Sequence, residues 1–248
     1  MPENAFTRPS LGANSTLRWP LIQARLDALR PETILELGTG TGGVAVHLAS
    51  RARYVGVEPD DTSRVIAGSR IGDGDARIVH DIAELDSGDS FDLVCAFEVL
   101  EHIFDDAGTL AQWVEYVRPG GHVLVSVPAD PHRFGPWDEL VGHVRRYTVD
   151  DLTKLFDAAG LVPIDVRYYG FPAGAVLDVG YNWFARRRLA RSSTPADLAD
   201  RTAQSARNVQ LPDWVRRVNW YVMAPFRLVQ RHYPERGVGL VGFARRPG

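Results

Sequence analysis

A doubly wound α/β fold is the architecture this sequence predicts, and three observations carry the prediction. The first is the run Ile34-Leu35-Glu36-Leu37-Gly38-Thr39-Gly40-Thr41-Gly42-Gly43, where an apolar strand breaks into alternating glycines and resumes as a helix near Val44. Glycine tolerates positive φ and lets a ligand approach bare backbone, so a strand, a glycine turn and a helix start form a nucleotide-binding element. The second is the alternation of strand-like runs with helical periodicity across residues 1–130. The third is the character of those runs, which are short, β-branched and almost continuously apolar, as suits a parallel sheet covered on both faces.

The elements follow in order. Ser15 can cap a helix to about Leu29, with Leu17, Leu21, Ala24 and Ala28 on one face. Pro20 lies in its early turns, where proline is better tolerated, and Pro31 stops it. Strands are predicted at Thr33–Leu37, Tyr54–Val57, Arg77–His80, Phe91–Phe97 and His122–Val127, with helices between them. A further unit pairs a helix from about Val149 to Ala159 with a strand near Val162–Tyr169, and the last strand is Gly239–Ala244. Between these two strands, residues 171–236 carry aromatics and arginine clusters with helical but no strand periodicity. The chain thus divides into an N-terminal helical segment (1–30), a core (31–170 and 237–248) and a helical insertion (171–236) that suits a substrate cap.

Composition narrows the class. The single cysteine, Cys95, excludes a disulfide framework or a cysteine metal cluster. No apolar stretch approaches ~20 residues and the N-terminus lacks a signal pattern, so no transmembrane segment and a cytoplasmic location are expected. Net charge is -3, with 10 basic and 20 acidic residues in 1–130 against 18 and 11 in 131–248. Lys154 is the sole lysine. Arginine usage this extreme reads as genome composition, and no nucleic-acid partner is expected.

The glycine pattern alone fits two cofactors. Gly38, Gly40 and Gly43 match G-x-G-x-x-G, and Glu58 stands 20 residues after Gly38 at the end of the next strand, where an acid can hold ribose hydroxyls. A nicotinamide-dependent oxidoreductase would share this much. Glu36, immediately before the turn, separates the two: a carboxylate repels a pyrophosphate and attracts a cationic ligand.

The chain resembles the class I S-adenosylmethionine (SAM)-dependent methyltransferases, of the bacterial small-molecule type. The resemblance rests on ILELGTGTGG at 34–43, YVGVEPD at 54–60, HDIAEL at 80–85, FDLVCAFEVLEHI at 91–103 and VRPGGHVLVSVP at 117–128, in the family's order and spacing. It implies a seven-stranded, mostly parallel, Rossmann-like sheet whose last strand is antiparallel and inserted between the fifth and sixth. It also implies SAM as cofactor, with Glu36 facing the methionine end over Gly38, Thr39, Gly40 and Gly42. Glu58, followed by Pro59, would take the ribose hydroxyls. Asp81 and Ile82 would meet the adenine, and Phe97 and Glu98 would border the methionine part and the substrate pocket. Asp81 could equally serve as a helix N-cap.

Two further stretches bear on chemistry. Glu98, Glu101 and His102 stand at i, i+3 and i+4, one face of a helix, an arrangement that can bind a divalent ion. The resemblance to small-RNA methyltransferases implies a further downstream histidine, for which His143 is the candidate. Some ubiquinone-pathway O-methyltransferases and small-RNA methyltransferases resemble this E-x-x-E-H pattern. Many metal-free relatives carry it too, so the reading without a metal, a hydrogen-bond network at a helix start, is preferred. The segment Trp137–Tyr147, WDELVGHVRRY, follows the fifth strand. A histidine titrates near neutrality, so His143, and after it His102, is a candidate base, with His132 weaker. Trp137, Arg145, Arg146 and Tyr147 are candidate substrate contacts. A structural alternative has Arg145 or Arg146 pairing with Glu101 or Asp138.

In the insertion, Arg186, Arg187, Arg188 and Arg191 beside Trp183 and Phe184 read as a solvated helix face before a membrane or anion patch. Trp214, Trp220, Tyr221 and Phe226 fit a packing helix or a lid, and residues 1–14 can close over the cofactor. The expected activity is methyl transfer to a hydroxyl or amine of a small molecule. A nicotinamide-dependent oxidoreductase and a non-catalytic SAM-binding protein are the alternatives.

Overall fold

The computed structural model describes residues 11–72, 74–86, 88–190 and 213–248, with the side chains of 213–217 outside that description. Residues 1–10, Arg191 and the Trp214 side chain therefore lie outside the described part. Seven strands form one sheet: β1 Thr33–Leu37, β2 Arg53–Val57, β3 Arg77–Val79, β4 Phe91–Phe97, β5 Val117–Pro128, β6 Ile164–Gly170 and β7 Gly237–Arg245. Their order is β3-β2-β1-β4-β5-β7-β6, with β7 antiparallel to both neighbours and all other pairs parallel. This is the doubly wound, mostly parallel sheet expected.

The apolar runs bury both faces of the sheet. Leu35, Leu37, Val94, Ala96, Val123 and Val125 pack on one side with Leu110, Trp113, Leu152 and Phe156, from helices α4 (Asp106–Glu115) and α6 (Val149–Ala158). Ile34, Leu93, Cys95 and Leu124 point to the other side, against α1 (Ala13–Leu29) and α2 (Ala45–Ala49). The remaining helices are α3 (Asp61–Ile71), α5 (Pro136–Val141), α7 (Ala173–Leu189), α8 (Asp213–Val222) and α9 (Ala224–Val229).

Three sequence expectations change. Helix α1 starts at Ala13 with Gly12 as N-cap, leaving Ser15 inside it. Its buried positions are Thr16, Leu17, Arg18, Trp19, Ile22 and Leu26, while Ala24 and Ala28 face solvent, because the larger apolar groups win the sheet-facing side. Strand β5 begins five residues earlier than His122, because Gly120 N–H donates to Arg246 O and Arg246 N–H to Gly121 O, extending the ladder with β7.

The glycine turn is built for close approach. Gly38, Gly40 and Gly42 have φ of 73°, 56° and 80°, a region that other residues enter at a cost. A Cβ on Gly42 would come within 2.9 Å of the Ala67 backbone on α3. Gly42→Ala is expected to destabilise the protein by about 1–3 kcal/mol through overpacking and backbone strain. Chemical denaturation checks it: an unchanged midpoint would mean that the turn has room to spare.

Candidate active site

Glu36 closes β1, Glu58 follows β2, and Phe97 and Glu98 end β4, all at the carboxyl edge where open α/β sheets bind ligands. Glu36 is buried, and Tyr54 Oη donates to its Oε2 at 2.5 Å, with Thr39 Oγ1 3.1 Å from the same hydroxyl. Burial raises its pKa to about 8, against the Tyr54 hydrogen bond and the Arg18 charge, which lower it. Glu58 is also buried. Its Oε2 accepts from Gly40 N–H at 2.6 Å and its Oε1 from Asp60 N–H at 2.9 Å, so it braces the glycine turn. Each oxygen keeps a second lone pair for a ligand hydroxyl.

Arg18 connects the first helix to this edge. It is 4% exposed, with Nη1 3.0 Å from Glu98 Oε1 and donating to Ser126 Oγ at 2.8 Å, and its guanidinium lies over the Phe97 ring. Ser126 in turn donates to Glu98 Oε1, as does Tyr169 Oη at 3.2 Å. Arg18 Nε is buried without a hydrogen-bond partner. Glu98 is held at φ 60°, a conformation that signals constraint in a non-glycine residue.

A second cluster stands two residues further on. Val99 lies against Gly38, since a Cβ there would come within 2.5 Å of Val99 Cγ2, and this ties the glycine turn to the one-turn 3-10 helix Leu100–His102. His143 Nδ1–H donates to Asp138 Oδ1 at 2.7 Å, and its Nε2 faces Glu101 Oε1 at 3.7 Å. His102 Nδ1 is 3.0 Å from Gly142 O, which places the proton on that nitrogen and makes Nε2 the acceptor; the two imidazoles meet edge to face, centroids 4.8 Å apart.

Glu101 is fully buried and neither carboxyl oxygen has a hydrogen-bond partner. Burial, then the Glu98 charge, pushes its pKa well up. Burial, then the His143 charge, lowers that of His102 to about 4. One ligand atom each from Glu101, His102 and His143 falls within 4.8 Å of the others. Glu98 does not join them. It precedes the short helix and turns to Arg18, so the expected i, i+3, i+4 face is not formed, because the turn is 3-10 and begins after Glu98.

A family model described as a methyltransferase domain matches residues 15–166, more than half of the chain. The chain belongs to the methyltransferase-domain family. A probable S-adenosylmethionine-dependent methyltransferase of Mycolicibacterium smegmatis is 35% identical over 133 residues, 51% of this chain and 51% of that protein. A ubiquinone biosynthesis O-methyltransferase of Azorhizobium caulinodans is 36% identical over 106 residues, 41% and 42% of the two chains. The chain spans about half the length of the curated relatives it matches. Among solved structures, an S-adenosylmethionine-dependent methyltransferase from Mesorhizobium loti superposes with a TM-score of 0.60 at 18% identity, covering 95% of this chain and 100% of that one. At such identity the likeness is one of fold, and the fold is that of the class I SAM-dependent methyltransferases.

Within this methyltransferase domain, several candidate contacts have other work. Arg146 is buried and forks onto Asp138, with Nε 2.9 Å and 3.0 Å from its two oxygens and Nη2 2.9 Å from Oδ2. Burial alone would raise the Asp138 carboxyl, but the His143 and Arg146 donors outweigh it and hold it below the usual carboxylate range. Arg145 donates to Asp106 and to Phe104 O, and the buried Tyr147 hydroxyl to Leu100 O and Asp106. In the folded chain these three side chains brace the loop, and the Arg146–Asp138 pair is the structural alternative that the sequence offered.

Trp137 stacks on Tyr181 of α7 at 4.7 Å. Asp81 accepts from Ala83 N–H and, with Glu84, forms a capping box; Ile82 starts that 3-10 turn, and both Asp81 and Pro59 are exposed. His132 is exposed on its loop. Sequence reasoning missed Arg18, Tyr54 and Ser126, and it offered Asp138 only as a structural partner of Arg145 or Arg146 and not as the partner of His143. Arg18 carried a signal, an arginine on the apolar side of a helix.

Proposed function

We propose that this domain transfers a methyl group from SAM to a hydroxyl, or an amine, of a small molecule by direct displacement. The observation that carries the reading is the Asp138–His143 dyad, positioned by the same Val99–His102 turn that packs on Gly38. When bound, SAM supplies a methyl made electrophilic by its sulfonium charge.

The protein supplies alignment and a base. Glu36 holds the cationic methionine end, Glu58 the ribose hydroxyls, and the Arg18 guanidinium an anionic end through its unpaired Nε–H. Gly38, Thr39, Gly40 and Gly42 pass beneath, with Phe97 alongside, and Pro59, Asp81 and Ile82 border the adenine side. His143 Nε2 would take the acceptor's proton in a displacement that releases S-adenosylhomocysteine, while Asp138 keeps the imidazole in the tautomer whose Nε2 accepts. The enzyme works in the cytoplasm. No helix among the described residues is long and apolar enough to cross a membrane.

His143→Ala is expected to lower kcat at neutral pH by about a hundredfold with a hydroxyl acceptor, with little change in SAM affinity. Calorimetry of SAM binding and turnover measured together check this, and full activity in the variant would reject His143 as base.

A second reading is favoured by the two buried, unpartnered Glu101 oxygens. Glu101, His102 and His143 form a carboxylate-imidazole set that fits a divalent ion, which when bound would polarise the acceptor oxygen. The base reading predicts that turnover survives chelation. A loss of more than about tenfold, restored by magnesium or manganese, would favour the metal instead.

A further inference from the structure

Between the turn that leaves β5 and helix α7 lies a cavity of about 470 Å³ that methyl transfer, as proposed above, does not use. Small-ligand pockets run roughly from 300 to 1,000 Å³. Its wall carries Arg133, Phe134, Asp178, Asn182, Trp183 and Arg186. Two of the polar groups are tied together: Arg133 Nε and Nη2 both donate to Asp178 Oδ2, at 3.2 and 2.8 Å. Asn182 is fixed as well, donating to Asp178 O and accepting from Trp137 N–H.

Arg186 stands apart. It is exposed, its guanidinium has no carboxylate partner among the described residues, and it leaves the cavity with two guanidinium groups against one carboxylate. Beside it Trp183 is 56% exposed, with Arg187 packed on its ring 3.6 Å from the centroid. An excess guanidinium next to a half-exposed indole, one face of which Arg187 covers, suits a planar organic anion that pairs with the one and packs against the other.

The cavity is wired inward. Asp178 Oδ2 also lies 3.5 Å from Arg146 Nη1, Arg146 forks onto Asp138, and Asp138 accepts from His143 Nδ1. An anion that takes Arg133 frees Asp178 to compete with Asp138 for Arg146. Every link in that chain is an ion pair or a charge-assisted hydrogen bond with little water around it, so the change in charge is poorly screened.

We propose that this cavity binds a small aromatic anion, an aryl ring bearing one carboxylate or phosphate, through Arg133 and Arg186, and that its occupancy is felt at His143 through Asp178, Arg146 and Asp138. Binding here is separate from the SAM cleft and from the assignment of His143 as base, and both readouts below are made without turnover.

The test titrates the full chain with phenyl phosphate, benzoate and inorganic phosphate by calorimetry, with and without saturating S-adenosylhomocysteine, and follows the ring nitrogens of His143 by NMR. The expected result is one site for phenyl phosphate or benzoate, unaffected by S-adenosylhomocysteine and weakened about tenfold by Arg186→Ala and by Trp183→Leu. The His143 signals should move on binding, and Asp178→Asn should abolish that movement while the ligand still binds. Absence of binding, equal affinity in Arg186→Ala, or displacement by S-adenosylhomocysteine would overturn the site. Inorganic phosphate binding as tightly as phenyl phosphate, or binding seen only on anionic lipid vesicles, would overturn the aromatic-anion assignment. Unmoved His143 signals at saturation would overturn the coupling.

Discussion

Glu36→Gln is expected to weaken SAM binding by about thirty- to a hundredfold, the loss of one charge-assisted contact to a cationic ligand, while the protein stays folded. The buried carboxyl is raised to about 8 from 4.5, so at neutral pH it is largely protonated before a ligand arrives. A cation beside it favours the carboxylate, and binding therefore expels a proton. Below about pH 8, affinity should rise with pH, by up to about tenfold per unit, and flatten above that value.

Stability runs the opposite way. The folded pKa lies above the unfolded one, so the contribution of Glu36 is fully present below about pH 4.5 and is lost as pH rises through about 8. Calorimetry in buffers of different ionisation enthalpy measures the released proton. Binding without proton release, or unchanged affinity in the glutamine variant, would place the cationic end of the ligand elsewhere.

Asp138 carries the second large effect. The fully buried side chain accepts from His143 Nδ1, from Arg146 Nε and Nη2, and from Gly135 N–H. Asp138→Ala removes the forked partner of the buried Arg146 guanidinium, leaving it only Ala129 O and the more distant Asp178, and is expected to cost about 3–5 kcal/mol, a fall in Tm of roughly 6–20 °C. Asp138→Asn keeps the shape and an acceptor oxygen but removes the charge that steadies the imidazolium. Its expected signature is a modest loss of Tm with a fall in kcat of about a hundredfold or more. Wild-type turnover in the asparagine variant would remove the dyad from the reaction; wild-type Tm in the alanine variant would mean that Arg146 finds another partner.

Much of the fold was legible because its signals are local. Residues 33–37 and 91–97 are strands with the predicted bounds, since both are short, mostly apolar runs and the first is flanked by Pro31 and by the glycine turn. The helix α1 face was misjudged because periodicity weighs Ala24 and Ala28 like Trp19 and Ile22, whereas the sheet takes the larger surface. The start of β5 depended on a partner about 125 residues away, which no local pattern contains.

At the site, Glu36 and Glu58 announced themselves by position. Tyr54 and Arg18, the partners that set the chemistry of Glu36, reach it through the sheet register and through the packing of α1. The E-x-x-E-H spacing assumed a regular helix; the chain forms a 3-10 turn there, and that alone sends Glu98 to Arg18 and leaves Glu101 with the histidines. For the arginines at 145 and 146 the sequence left a ligand and a carboxylate partner both open; in the folded chain Asp106 holds the first and Asp138, one of the partners offered, holds the second.

The most direct test of the central claim is calorimetric titration of the purified protein with SAM and, in parallel, with NAD. One SAM site per chain, abolished by S-adenosylhomocysteine and accompanied by proton release, with no heat from NAD, is the predicted result. Tight binding of NAD with none of SAM would contradict it.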